Sequence, residues 1–529
     1  MRLLSLTIMV LSCTLLIAQP YTTSITADMD WNGWQAAVFE NGLITTTAVP
    51  AIGGRVMQYD LGDHHSIYHD HSLDGKTYTP VLNNNWYNFG GFKNWPSPQN
   101  GPGRWGWPPP PILDYGEYTY DLMKTNYDSA AMRFTSPVEQ YRTPDLQFVR
   151  EMTIYKNTSR VKMRQILINH GSSDQNCGIW DITQAIVNHP DDQDYENFWI
   201  YFTINPESVF GEEGVSTQRN SPSWVGEVAP GIYGTEFVPN AQKLFADPDQ
   251  GWICYVDELE GVAYAKTFPI FEDKSYPDDE ARIAVYNAGN YVEVEVMGPV
   301  EDIPANGGQI EFTIDWWAAK VFGPILHVNN VCAVNQFLTL AAGTLSGNYG
   351  VFHVGQVKST FLDDAGLVIE EGQEMDVTPL ENVAYSESVS IPEATARIEL
   401  RIYTPEGAMI GTLDGADLDA LTNVEASEYA KIASFELQQN YPNPFNPTTQ
   451  IAYHLDTPGR VQLVVYDVTG RIIRLISDEM QNQGNYIRTW NSLDSQGHEV
   501  PAGIYLYHMR FVDSVNKVHT MTRKMTLIR

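Results

Sequence analysis

The period of its apolar residues is what most restricts the fold of this chain. From about Ile25 to Thr344 they recur at every second position over short runs, and no stretch repeats them at the spacing of a long helix. Ala37-Val38-Phe39, Val161 to Asn169, Trp199 to Ile204 and Tyr291 to Met297 all show this alternation, with Gly, Pro, Asn and Asp between the runs. A period of two puts alternate side chains on opposite faces, so these runs are expected to be half-buried strands. Roughly 320 residues of this kind predict an all-β architecture built on one large multi-stranded sandwich. At 43% hydrophobic over 529 residues, the chain has apolar content for several cores.

Charge and cysteine content narrow the function classes. Lys+Arg 32 against Asp+Glu 65 gives a net charge of −33, without the cation excess that phosphate neutralisation needs, so nucleic acid is not an expected partner. The four cysteines, Cys13, Cys177, Cys254 and Cys332, are too few for a disulfide scaffold and lack the CxxC spacing of a zinc ribbon. Arg2 followed by the apolar run Leu3 to Ala18, with Ser5, Thr7, Ser12 and Thr14 scattered through it, reads as a secretory signal over residues 1–18. Nowhere else do about 18 uncharged apolar residues run together, so no transmembrane segment is expected in the mature chain.

Three units are expected after the signal: 25–344, 345–425 and 435–529. The second closes with Ile398 to Tyr403, a Thr-Pro-Glu-Gly turn and Ala408-Met409-Ile410. The third contains Val461 to Tyr466, an Asp-Val-Thr-Gly turn and Arg471-Ile472-Ile473. Tyr403 aligns with Tyr466, Gly407 with Gly470 and Ile410 with Ile473, a weak internal repeat of one hairpin that predicts two small sandwiches of similar type. Between them the acidic stretch Asp414 to Glu428 is either helical or a linker.

The third unit opens with Tyr441-Pro-Asn-Pro-Phe-Asn-Pro-Thr-Thr449, whose prolines remove backbone donors and suit an edge segment, and ends in Lys524-Met-Thr-Leu-Ile-Arg529. Opening and terminus together resemble the C-terminal sorting domain of the type IX secretion system, an Ig-like fold. That resemblance implies export through the periplasm, with the type IX machinery as partner, to a secreted or outer-surface location.

Chemistry is expected in the first unit. From Trp86 to Tyr120 the density of Gly and Pro argues against a regular helix or a central strand and predicts a long shaped loop. Trp95, Trp105 and Trp107 offer flat apolar faces there, and Asn88, Lys93, Gln99, Arg104 and Asp114 offer hydrogen bonds. A sugar presents the complementary mixture of C–H faces and hydroxyls. Twelve of the 13 tryptophans fall between Trp31 and Trp317, which points to the same unit, although indoles also simply pack loops onto sheets.

A second resemblance rests on Pro50 to Tyr59 (PAIGGRVMQY), the Gly90-Gly91…Trp95-Pro-Ser-Pro-Gln99 segment, Trp107-Pro-Pro, Trp180-Asp-Ile-Thr-Gln184 and Tyr291-Val-Glu-Val-Glu295. Together these are similar to the DUF4380 group, itself similar to the galactose mutarotase superfamily. The resemblance implies a β-supersandwich with a sugar-sized cleft on one sheet, followed here by the two small Ig-like sandwiches. It also implies a carboxylate base at Glu295. Alternation puts Glu293 on the same face, and two carboxylates in one cleft would raise one pKa by mutual repulsion. The mutarotase histidines are not matched: Asn88-Phe89-Gly90-Gly91 and Trp180-Asp181 stand where they would fall, and His170 and His189 have no motif that substitutes. Arg55, Asn88, Lys93, Trp95, Gln99, Trp107, Trp180, Asp181 and Gln184 are the expected saccharide contacts.

Asp63-His64-His65-Ser66-Ile67-Tyr68-His69-Asp70-His71 has ligand types that suit a transition metal, yet it lacks helical HExxH spacing and reads as the polar loop after the Val56–Leu61 strand. Asp191 to Asp194 lacks an EF-hand pattern. No metal or cofactor is expected. The leading reading is therefore a secreted carbohydrate-binding protein, with epimerase-like acid–base chemistry if it is an enzyme. The alternative is a structural or adhesive multi-domain surface protein without sugar chemistry.

Overall fold

In the computed structural model, residues 22–528 are described except 83–84, 101–103, 144, 188–196, 219–225, 423–434, 456–457, 468–470 and 514–517. The expected signal segment, His189, the Asp191 to Asp194 loop and residues 423–428 of the acidic stretch lie outside the described residues; the rest of that stretch is the end of strand Met409–Asp417 and the short helix Leu418–Thr422. The chain is all-β. A 12-stranded and a 10-stranded sheet, antiparallel in every pairing among the described residues, form the first unit. They close on a common core in which Phe92, Val292, Val294 and Val296 of one sheet meet Phe148, Ile154, Val161 and Trp316 of the other. Val161–Asn169 and Tyr291–Met297 are strands, as their alternation requires.

Two elements differ from the sequence expectations. Cys332–Ala341 pairs with Thr344–Val351, so the boundary expected at residue 344 cuts a hairpin and the second unit already includes strand 327–328. The Trp86–Tyr120 stretch is not wholly loop, because Phe92–Ser97 is a strand inside the large sheet. Its six residues pair with Gln175–Ile186, while pairing with Arg55–Leu61 is confined to Phe92 opposite Val56. Beyond Phe92 one side of the strand behaves as an edge, where the missing N–H of Pro96 is tolerated.

The second unit packs on the outer face of the 10-stranded sheet, where Trp199, Trp252 and Trp317 meet Val328, Ala333 and Phe352. Tryptophan density in the first unit thus marks this junction as well as the candidate site. The internal repeat is visible in the strand register. Tyr403 pairs with Met409 and Tyr466 with Ile472, and each hairpin shifts register twice at equivalent places, Leu400/Arg401 and Ile402/Tyr403 in one, Leu463/Val464 and Val465/Tyr466 in the other. Cys177, Cys254 and Cys332 are all buried and free.

Candidate functional site

On the large sheet, strands Phe92–Ser97, Gln175–Ile186, Tyr291–Met297, Ile283–Asn287 and Gln242–Ala246 follow one another in space. Their alternation sorts side chains into two layers. Phe92, Ile179, Val292, Val294 and Leu244 enter the inter-sheet core, whereas Trp95, Trp180, Ile182, Phe245, Ala284 and Met297 form a separate cluster on the opposite face. Lys93, Gln184, Glu293, Glu295 and Lys243 share the parity of that second layer.

Register decides which of these meet. Gln184 stands opposite Glu293, and Ile182 opposite both Glu295 and Lys93. Glu293 Oε1 accepts from Lys93 Nζ at 3.0 Å and from Gln184 Nε2 at 2.9 Å. Glu295 accepts from Trp180 Nε1 at 2.8 Å and from Lys243 Nζ at 3.0 and 2.8 Å on its two oxygens. Lys243 reaches Glu295 across the intervening strand, where the small Ala284 stands opposite Glu295.

The two carboxylates are tuned apart. Burial pushes Glu295 up to about 7; Lys243 opposes the rise and the charge of Glu293 adds to it. Burial acts on Glu293 in the same direction, but Lys93, Lys243 and the Gln184 amide outweigh it and hold Glu293 below the usual glutamate value. Burial raises both, and the separation comes from the Lys93, Lys243 and Gln184 contacts that outweigh it at Glu293, with the charge of Glu293 adding to the rise of Glu295. Burial also lowers Lys93, against the pull of Glu293. Beside the pair, Asp278 is raised by burial, with Lys243 drawing it back. An acid near neutrality next to an ionised carboxylate and two lysines is a set that can hold or pass a proton at neutral pH.

Access separates the two glutamates. Glu295 and its bonds are enclosed, with 0% side-chain exposure, while Glu293 keeps 10% and Lys243 17%. Both hydrogen bonds of Glu293 fall on Oε1, which leaves Oε2 as the oxygen turned to the opening.

The aromatic wall is layered. Trp95 is buried, donates Nε1 to Asp114 Oδ1 at 2.9 Å, and meets Trp105, Trp107 and Trp180 edge-on at 5.8, 6.3 and 5.6 Å. Trp107 is 55% exposed and packs edge-on against half-buried Trp86 at 5.1 Å. Lys93 Nζ lies 5.7 Å from the Trp86 ring and 5.1 Å from the Trp95 ring. Trp95, expected as an open face, is therefore covered, and Trp107 is the exposed indole of the group with Trp86 half-buried beside it.

Three more expected contacts are placed differently. Arg55 is fully buried, donating to Gly90 O at 2.9 Å and to Asp114 Oδ1 at 2.6 Å, so it sets the acceptor that holds Trp95. Asp181 faces the inter-sheet interior, bound to Lys266 at 2.6 Å and Gln165 at 2.8 Å, because an odd-numbered residue of this strand cannot share a face with Trp180 and Gln184. For Gln99 the structure shows a backbone role, its carbonyl accepting from Gly106 N at 3.0 Å. Asn88 does belong to the site loop. It precedes the Gly90–Gly91 pair, whose positive φ of 89° and 76° and tight approach to Tyr68 and Val56 leave no room for a Cβ. His170 is on the other sheet, bonded to Gln147 at 2.8 Å. Lys243 and Trp86 were missed as site residues; nothing in a lone lysine of the run Gln-Lys-Leu-Phe-Ala connects it with a glutamate 52 positions away.

Residues 439–524 match the family of secretion system C-terminal sorting domains. This domain directs the chain by type IX secretion to the cell surface or the extracellular space. No helix among the described residues is long and apolar enough to cross a membrane. No curated protein matches the chain significantly. Among solved structures, it is similar to a galactose mutarotase-like protein from Clostridium acetobutylicum, with 10% identity, 57% of this chain and 99% of that one covered, and a TM-score of 0.38. A galactose mutarotase-like protein from Lactobacillus casei gives 9% identity, 54% and 99% coverage and a TM-score of 0.37. A TPR-domain containing protein from Parabacteroides distasonis gives 12%, 59% and 56%, and 0.40.

Proposed function

We propose that this exported protein binds a saccharide on the outer face of its large sheet, with the sugar ring against Trp107 and Trp86 and its hydroxyls on Glu293, Gln184 and Asn88. The observation that carries the reading is an exposed indole, Trp107, held edge-on by Trp86 and Trp95 beside the buried Lys93–Glu293 pair. Around it, Gln184 Oε1, Asn88 Oδ1 and Trp86 Nε1 are buried without a hydrogen-bond partner. Buried polar atoms are costly unless paired, and ligand hydroxyls pair both acceptors and donors. The resemblance to the DUF4380 group leads to the same ligand class.

If the bound sugar is turned over, the chemistry is acid–base exchange of the epimerase kind. Glu293 presents the open oxygen, and Glu295 passes or holds the proton through Lys243. A glycan-array screen of the secreted chain beside Trp107→Ala tests the binding. Saturable binding that falls about 10- to 100-fold in the variant is expected, since an exposed aromatic platform is worth about 1–3 kcal/mol. No binding to any glycan, or equal binding by the variant, overturns the proposal. A chain lacking residues 435–529 should accumulate in the periplasm.

A further inference from the structure

The polar segment after strand Arg55–Leu61 is not used by the saccharide site, and the fold folds part of it into a cluster. Gly91 N donates to Tyr68 O at 2.9 Å and Asp70 N to Phe89 O at 3.1 Å, which fixes His69 beside Gly90. The carboxylate of Asp70 then accepts from Ser72 N at 2.9 Å and caps the three-residue turn His71–Leu73. A turn of three residues per revolution superposes positions i and i+3, so His71 and Asp74 emerge on one side. The His69 ring is stacked on Trp31 at 4.9 Å and lies 4.2 Å from the His71 ring. One ligand atom each from His69, His71 and Asp74 falls within 4.8 Å of the others.

A second observation concerns His69 itself. Its side chain is only 8% exposed, and Nε2 is held 2.6 Å from Asp74 Oδ1 in an ion pair, with neither atom bonded to a group outside the cluster. The other carboxylate oxygen, Asp74 Oδ2, is 3.2 Å from His71 Nδ1. Ligand atoms of a tetrahedral ion with bonds of about 2.0–2.1 Å stand about 3.3 Å apart. His71, 75% exposed, and Asp74, 32% exposed, are not packed in place, and the 3.2 Å between their ligand atoms is already close to that spacing.

We propose that His69, His71 and Asp74 form a binding site for a divalent transition-metal ion of the zinc class. Two imidazoles and one carboxylate are the donors that such ions select over calcium or magnesium. Three protein ligands leave at least one position for water or a ligand oxygen. The ion would tie the turn at residues 70–74 to the Gly90 rim of the aromatic loop.

The test is calorimetric titration of the full secreted chain with ZnCl2, paired with Co2+ titration read by visible absorption and by quenching of Trp31. His69 is packed on Trp31, so the informative variants are the exposed His71→Ala and Asp74→Asn. One Zn2+ per chain, tetrahedral Co2+ bands, and an affinity at least about tenfold weaker in each variant are expected. Absence of saturable binding, or titrations of both variants that match the wild type, overturns the site. In that case the cluster is an ion pair, and Asp74→Asn changes thermal stability alone. Glycan binding is read separately, so failure here leaves the saccharide proposal standing.

Discussion

Two buried ion pairs involve opposite faces of the large sheet, one bridging it to the partner sheet, and they are used differently. On the inner face Asp181 and Lys266 meet at 2.6 Å with 0% exposure of either side chain. Both oxygens of Asp181 are bonded, one to Lys266 and one to Gln165, and Lys266 also donates to Val294 O at 2.7 Å. On the outer face Lys93 and Glu293 meet at 3.0 Å, but Glu293 has both its hydrogen bonds on one oxygen, and its neighbour Gln184 keeps Oε1 unpaired. The inner pair has spent its polar capacity on the fold, and the outer pair has capacity left over. The proposed ligand site lies where capacity is left over.

The sharpest way to break this contrast is Lys266→Met. It strands a buried carboxylate, and we expect a loss of about 3–5 kcal/mol in chemical denaturation, most of it recovered in the Lys266→Met, Asp181→Leu double variant. A loss below about 1 kcal/mol would erase the distinction between the faces. Glu293→Gln, by comparison, keeps an acceptor for Lys93 and Gln184 and should cost only about 1–2 kcal/mol, while reducing glycan affinity at least about tenfold.

pH gives a further test of the outer face. A carboxylate whose folded pKa is raised binds its proton more tightly in the folded state, so its stabilising contribution is full below the unfolded value and is lost as pH rises through the folded one. For Glu295, raised from 4.5 to about 7, that window runs from about pH 4.5 to 7. Thermal stability should fall less across it in Glu295→Gln than in the wild type. Glu258, pushed to about 7 chiefly by burial, gives a similar slope and is retained in both proteins, so only the difference between them reports Glu295. Identical pH profiles would remove Glu295 from the acid–base reading. The smallest effect belongs to the exposed ladder on the other sheet, where Arg164 bridges Glu151 and Glu311. Solvent screens these charges, and Arg164→Ala should change stability by no more than about 1 kcal/mol.

The strands of the first unit were legible because half-buried strands carry a period of two, and the repeated hairpin because its turn residues recur at one offset. The Phe92–Ser97 strand was hidden by its proline, which ordinarily excludes a central position; only the short pairing with Arg55–Leu61 makes it possible. At the site, Glu293 and Glu295 were legible as a pair on one face. The same parity rule puts Asp181 on the face away from Gln184, so the resemblance over Trp180–Gln184 does not carry Asp181 into the site. Arg55 and Trp95 carry the right chemistry at the right place, but both are buried and both donate to Asp114, Arg55 also to Gly90 O, so they build the floor of the loop.

By itself the sequence determined that the chain is all-β, which residues share a face within each strand, and, through the Tyr441–Thr449 opening and basic terminus, how it is exported. Such information is local, and the backbone transmits it without reference to distant residues. Tertiary structure alone decided which face of the large sheet is covered by its partner sheet, that Lys243 meets Glu295, that Trp107 rather than Trp95 is left exposed, and that His69, His71 and Asp74 converge. Those outcomes depend on register and packing between segments far apart in the chain, and the free energy that selects them comes from burial that no single segment can achieve.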